Sequence, residues 1–195
     1  MLRCRGQERS LLRNHGYIKQ HVEASIADSK FEKYTVRKPA VVVRVGDDYV
    51  DQIPKTDMIP VLNAVNTGPR VIVSNELIAN AKTKVEYGFI TGDTAVGNGI
   101  DFVPHKHNYE EIFLFLGTDP KDTGKLGAEV EFWLGEGEDM EKVVFTTSSA
   151  VYVAPGVAHF PQIWRNVQRP VMTMVIMPTT GERNLEPIPL KGRIQ

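Results

Sequence analysis

Short apolar runs separated by turn residues dominate the chain from residue 84 onward. Alternation of apolar and polar residues is typical of a half-buried strand, and a continuous apolar run between turns is typical of a strand buried on both faces. The predicted strands are residues 40–45, 70–74, 84–91, 112–117, 128–134, 142–146, 150–154 and 169–177. No strongly amphipathic helix interrupts them, so the pattern predicts an all-β barrel or double-sheet jelly roll.

The N-terminal part of the chain has a different character. Residues 1–32 carry only a partial apolar stripe and favour a helix or a loose arm. Their arginines weakly resemble an organelle transit peptide, but a solvated helix or tail is the simpler interpretation. We therefore predict a helical or irregular extension over residues 1–80, with some strands packing on the barrel. The barrel itself would span residues 81–180, and a tail residues 181–195.

Composition narrows the functional classes without selecting one. The chain has 195 residues, 42% of them hydrophobic and 24% charged, with a net charge of −1. These values are typical of a soluble globular protein, and they give no basic face for nucleic acid and no apolar run for a membrane span. Because Cys4 is the only cysteine, no internal disulfide is possible. A reducing compartment, the cytoplasm, is the expected location.

Candidate metal ligands lie directly before the apolar run at residues 112–117. His105 and His107 are two residues apart, so in a strand both side chains project from one face. Glu111 falls on the same face if the chain stays extended. A third histidine, His159, follows a second apolar run and a Pro-Gly turn. Imidazoles and a carboxylate suit a divalent first-row metal. Glu110 competes with Glu111, because alternation directs only one of them inward.

Two motifs in this region resemble those of the cupin family. The first runs glycine, His-x-His, glutamate, glycine, and is matched by Gly99, His105, His107, Glu111 and Gly117. The second runs glycine, Pro-x-Gly-x-x-His, Asn, and is matched in part by Pro155, Gly156 and His159. Where the motif has its opening glycine this chain has Thr147-Ser148-Ser149, and where the motif has its asparagine this chain has Ile163.

The cupin resemblance implies a fold, a cofactor and a class of function. The implied fold is a double-stranded β-helix, present once in this chain, in a protein that is often a homodimer. The implied ligands of one divalent ion are His105, His107, Glu111 and His159. Iron or manganese is favoured, and zinc or nickel remains open. Four ligands leave positions free for substrate, as in catalytic sites.

The expected function is a dioxygenase-like oxidoreductase that acts on a small organic substrate. Alternatives are a metal-dependent isomerase, decarboxylase or lyase, and a cupin that binds a small metabolite without catalysis. Candidate substrate-binding residues are Tyr87, Phe89, Phe113 and Gln162. Phe113 is chosen because it shares strand phase with Glu111. The amides of Asn108 and Gln162 are candidates for orienting the ligands.

Overall fold

The computed structural model describes residues 29–45, 48–52, 65–98, 103–178 and 186–188. The chain divides into two compact units, residues 1–35 and 36–195. The described part of the first unit holds one 3₁₀ turn, Glu32–Tyr34, flanked by the exposed ring of Phe31. Most of the predicted N-terminal helix or arm, the turn at Gly46-Asp47 and most of the C-terminal tail lie outside the described residues.

The second unit is built from strands. The described residues contain β1 (Ala40–Val45), β2 (Asp48–Gln52), β3 (Arg70–Val73), β4 (Lys84–Ile90), β5 (Thr94–Val96), β6 (His105–Lys106), β7 (Glu111–Gly117), β8 (Lys125–Leu134), β9 (Glu141–Thr147), β10 (Ser149–Val153), β11 (His159–Arg165), β12 (Val171–Met177) and β13 (Glu186–Pro187). One sheet has the order β10-β7-β12-β4-β3-β1-β2, the other β13-β6-β11-β8-β9, and β5 pairs with β11.

The pairing of eight of these strands is nested. Strand β4 pairs with β12, β6 with β11, β7 with β10, and β8 with β9, all antiparallel. This is the topology of one long hairpin wound into a helix, in which successive pairs fall alternately in the two sheets. The all-β prediction is confirmed, and the fold is a cupin-type double-stranded β-helix. Strands β1–β3 extend the larger sheet through the β3–β4 pairing.

The core fills the space between the two sheets. Alternation along β7 directs Glu111, Phe113 and Phe115 inward, and each is buried. These rings meet Phe132 and Trp164 of the opposite sheet in one cluster. Burying each large apolar side chain contributes about 1.5–3 kcal/mol, so this cluster holds the sheets together. Gly117 ends β7 where a Cβ atom would overlap the Lys125 carbonyl, so no larger residue fits without a backbone shift.

A second buried acid lies on β8 and has a structural role. Glu131 accepts hydrogen bonds from Trp133 Nε1 at 2.8 Å, Arg165 at 3.1 Å and Lys142 at 3.3 Å. Because a buried carboxylate needs partners, these contacts account for its position. Among the described residues, no helix is long and apolar enough to cross a membrane.

Candidate metal centre

The His-x-His segment occupies the short strand β6. His105 lies opposite His159 of β11, so the two imidazoles come from neighbouring strands of the smaller sheet. Strand β6 itself holds His105 and Lys106, and His107 directly follows it. Lys106 binds Glu136 at 2.7 Å and Glu186 at 3.3 Å. Strand β13 pairs with β6 on its other side. The histidine strand is therefore fixed by backbone pairing on both edges and by two ion pairs.

The chain does not stay extended between His107 and Glu111. Residues 107–110 lie outside any strand, and Glu111 begins β7, which belongs to the larger sheet. The bend is stabilised by His107 itself, whose Nδ1 donates to the Tyr109 carbonyl at 2.6 Å. The Tyr109 ring stacks on the imidazole with centroids 3.9 Å apart and an interplanar angle of 2°. The expectation of one extended strand is wrong, yet Glu111 still faces the histidines across the space between the sheets.

All three imidazoles are oriented by backbone carbonyls. Nδ1 of His105 donates to Val103 O at 2.9 Å, and Nδ1 of His159 donates to Val157 O at 3.2 Å, as His107 does to Tyr109. In a neutral ring these bonds place the proton on Nδ1 and leave a lone pair on Nε2, which is then the atom that can bind a metal ion. Backbone carbonyls thus orient the rings. Neither the exposed Asn108 nor Gln162 makes such a contact among the described residues.

The free ring nitrogens converge on one spot. The ligand atoms of His105, His107 and His159 all lie within 4.8 Å of one another. One oxygen of Glu111 lies 3.0 Å from Nε2 of His107 and 3.0 Å from Nε2 of His159. The contact to His107 is a hydrogen bond. The contact to His159 is an electrostatic contact. The buried Nε2 of His159 has no hydrogen-bond partner among the described residues.

The electrostatics of the cluster favour a cation. Burial alone would raise the pKa of Glu111, but the contacts from His107 and His159 lower it to about 2. Burial and the nearby His159 lower the pKa of His105 to about 4. In the metal-free protein a charged carboxylate at this position requires a proton on a facing ring nitrogen, and a divalent ion would take the place of that proton. Such a set needs a positive charge, either a proton or a metal ion. Imidazole nitrogens with one carboxylate match the ligand preferences of a divalent first-row metal.

The competing acid and the predicted substrate residues fall in different places. Glu110 points away from the cluster and accepts a hydrogen bond from the exposed Tyr152 hydroxyl at 2.7 Å. Tyr87, Phe113 and Gln162 line a cavity of about 80 Å³ between the sheets. Phe89 does not line this cavity.

Three residues at the site were not named among the metal ligands or the substrate-binding candidates. Tyr109 stacks on His107, Phe160 lies with its ring 5.1 Å from that of His159, and Glu86 lines the cavity. Alternation along residues 84–91 does place Glu86 in phase with Ile90, and this signal identifies it in retrospect. Phe160 adopts a left-handed φ of 77°, which is unusual for a bulky residue and has no sequence signal.

Comparisons with known proteins show no family for this chain. No protein-family profile and no curated protein sequence matches the chain. An uncharacterized conserved protein with a double-stranded β-helix domain from Klebsiella pneumoniae is 10% identical, with a TM-score of 0.44 over 69% of this chain and 99% of that one. The polyketide cyclase RemF from Streptomyces resistomycificus is 10% identical, with a TM-score of 0.42 over 63% and 71%. A cupin-2 domain from Rhodospirillum rubrum is 8% identical, with a TM-score of 0.39 over 62% and 64%. The fold assignment therefore depends on the nested strand pairing.

Proposed function

We propose that this cupin-fold protein is a mononuclear metal enzyme, an oxidoreductase of dioxygenase type that acts on a small organic substrate. His105, His107, His159 and Glu111 would hold the ion. The observation that supports this proposal is the convergence of three imidazoles, whose Nδ1 atoms are all engaged by carbonyls, on one buried carboxylate. In a structural metal site, protein ligands fill every coordination position of the ion. Four protein ligands would leave two positions of a six-coordinate ion free, as a catalytic site requires.

A bound iron(II) or manganese(II) ion would supply a site where oxygen and substrate bind side by side. The protein supplies orientation and a dry environment. The Tyr109 carbonyl and ring fix the His107 imidazole. The rings of Phe113 and Phe160 lie 5.7 Å and 5.1 Å from that of His159 and exclude water from its inner side. In such a site Glu111 keeps its negative charge at neutral pH and partly neutralises the ion.

Metal content is the direct test of the ligand set. Elemental analysis of protein purified without added metal should show one divalent ion per chain. His105→Ala and His159→Ala should lose most of it because each removes a ligand that no neighbour replaces. Glu110→Ala is the matched control for Glu111→Ala and should keep its metal. Equal loss from Glu110→Ala, with none from Glu111→Ala, would reverse the assignment.

Oxygen consumption tests the reaction class. The protein is first loaded with iron(II) in the absence of oxygen. After oxygen is admitted, it should consume oxygen in the presence of at least one compound from a panel of small organic acids, ketones and phenols. Turnover of any member without oxygen would instead support an isomerase, decarboxylase or lyase that uses the same ion as a Lewis acid. Metal binding without turnover of any member would favour a module that binds a metabolite.

A further inference from the structure

We infer that the substrate is a compact aliphatic molecule with a hydroxyl group, recognised by the Gln162 amide in the cavity between the sheets. This inference deepens the proposed function and rests on it. It narrows the substrate class, which the sequence analysis leaves at any small organic molecule. Three observations carry it: the position of the cavity, the hydrogen-bonding state of Gln162 and the size of the space.

The cavity lies next to the metal ligands. Its lining includes Phe113 of β7 and Phe160 of β11, whose rings are 5.7 Å and 5.1 Å from the His159 ring. Other walls come from β4, β5 and β12, so the cavity belongs to the interior of the barrel. A molecule held there touches the same two phenyl rings that cover the inner side of the histidine cluster.

Gln162 is directed into this cavity by an irregularity of β11. The register with β8 shifts between His159 and Gln162, so both side chains are buried on the inner side instead of alternating. Gln162 is only 5% exposed. Its amide lines the cavity and makes no hydrogen bond with any residue that the structure describes. A largely buried amide that has no protein partner leaves its donor and acceptor groups available to a molecule in the cavity.

Glu86 defines which ligand group suits the cavity. It is 7% exposed, lines the same cavity, and forms an ion pair with Lys84 at 3.2 Å. A carboxylate only accepts hydrogen bonds, whereas an amide both donates and accepts. A hydroxyl group can accept from Gln162 and donate to Glu86. Because Lys84 already balances the charge of Glu86, a neutral hydroxyl fits better than an ammonium group.

The size of the cavity argues against an aromatic substrate. It measures about 80 Å³, and roughly two to three waters, at about 30 Å³ each, fill that space. A cavity of about 150 Å³ is known to accept benzene, and the cavity here has about half that volume, so a phenolic ring is the poorer fit. A chain of a few carbons bearing one hydroxyl group fits without movement of Phe113 or Phe160.

The test compares two probes of equal shape. Hydroxyacetone and butanone differ only in a hydroxyl group and a methyl group, and phenol provides the aromatic case. Calorimetry on the metal-loaded wild-type protein should show hydroxyacetone binding about tenfold more tightly than butanone, the upper end of the range for one hydrogen bond to a neutral amide. Phenol should bind more weakly than both.

Gln162→Leu should reduce the tenfold preference to about onefold without lowering the melting temperature, because the lost amide had no protein partner. Gln168→Leu, at an exposed position, is the matched control and should keep the preference. Preference for phenol in the wild type, or a preference that survives Gln162→Leu, would overturn the inference. Repeating the titration after chelation separates this inference from the proposed metal-dependent function. Because the cavity lining contains no metal ligand, the preference for hydroxyacetone over butanone should persist in protein that holds no ion.

Discussion

Glu111→Gln gives the sharpest test of the described geometry. The substitution keeps the shape of the side chain and removes its negative charge, while His107 and His159 stay within 3.0 Å of the same position. Contacts with these histidines outweigh burial and lower the pKa of Glu111 from 4.5 to about 2. Since each pH unit is worth about 1.4 kcal/mol, the charged carboxylate contributes about 3 kcal/mol to the metal-free fold at neutral pH.

The pH dependence follows from the direction of that change. Because the folded-state pKa lies below the unfolded-state value, the contribution is complete above about pH 4.5 and is lost as the pH falls toward 2. Urea unfolding of chelator-treated protein should therefore show Glu111→Gln about 3 kcal/mol less stable than wild type at pH 7, with the two converging on acidification. Glu110→Gln, one residue away on the exposed side, should change stability by less than about 1 kcal/mol.

Two results would refute this reasoning. If Glu111→Gln and Glu110→Gln lose the same stability at pH 7, then the carboxylate is not held by the imidazoles. If the difference between wild type and Glu111→Gln stays constant between pH 7 and pH 3, then its cause is packing and not charge. Either result would also remove the electrostatic argument for a cation at this site.

Three further predictions concern neighbouring groups. Burial lowers the pKa of His105 to about 4. Between pH 6.5 and pH 4 the unfolded chain therefore binds a proton that the metal-free fold does not, so the free energy of unfolding should fall over this range. In His105→Gln, the free energy of unfolding measured in urea should depend less on pH over the same range. Tyr109→Leu should weaken zinc binding several-fold in a competition assay, since the ring stacked on His107 is lost, whereas Tyr109→Phe should bind zinc normally. A Cβ atom at residue 88 would lie 2.6 Å from Gly68 Cα, so Gly88→Ala should lower the free energy of unfolding by about 1–3 kcal/mol in urea melts, more than the same change at Gly137.

Regular strands could be predicted from the sequence because a period of two fixes which side chains face inward. Strand β1 begins and ends where the apolar run at residues 40–45 predicted. Alternation along β7 indicated that only one of Glu110 and Glu111 faces inward, and the spacing of the cupin motif favoured Glu111, which the structure buries with Phe113 and Phe115. The assignment of these side chains to a metal stays a prediction, as do the homodimer and the substrate.

The irregular strand β11 could not be predicted in the same way. Its register shift lies between His159 and Gln162, where Phe160 takes a left-handed backbone and Pro161 follows. Simple alternation from His159 would direct residue 161 inward and residue 162 outward, whereas the shift buries Gln162 beside the cavity. Tertiary packing determines such a bulge, and no local pattern indicates it. The three-residue strand β5 was missed because it is shorter than the window in which periodicity is visible.

The bend after His107 has a consequence for how long the protein survives in a cell. The bend separates His107, which directly follows β6 of the smaller sheet, from Glu111, which begins β7 of the larger sheet. An ion bound to both side chains would therefore link the two sheets. The unfolded chain has no such arrangement, so every tenfold excess of free metal over the dissociation constant would add about 1.4 kcal/mol to the fold. Chains made during metal starvation would then be the first to open and be degraded, and the amount of this protein would follow the supply of its ion.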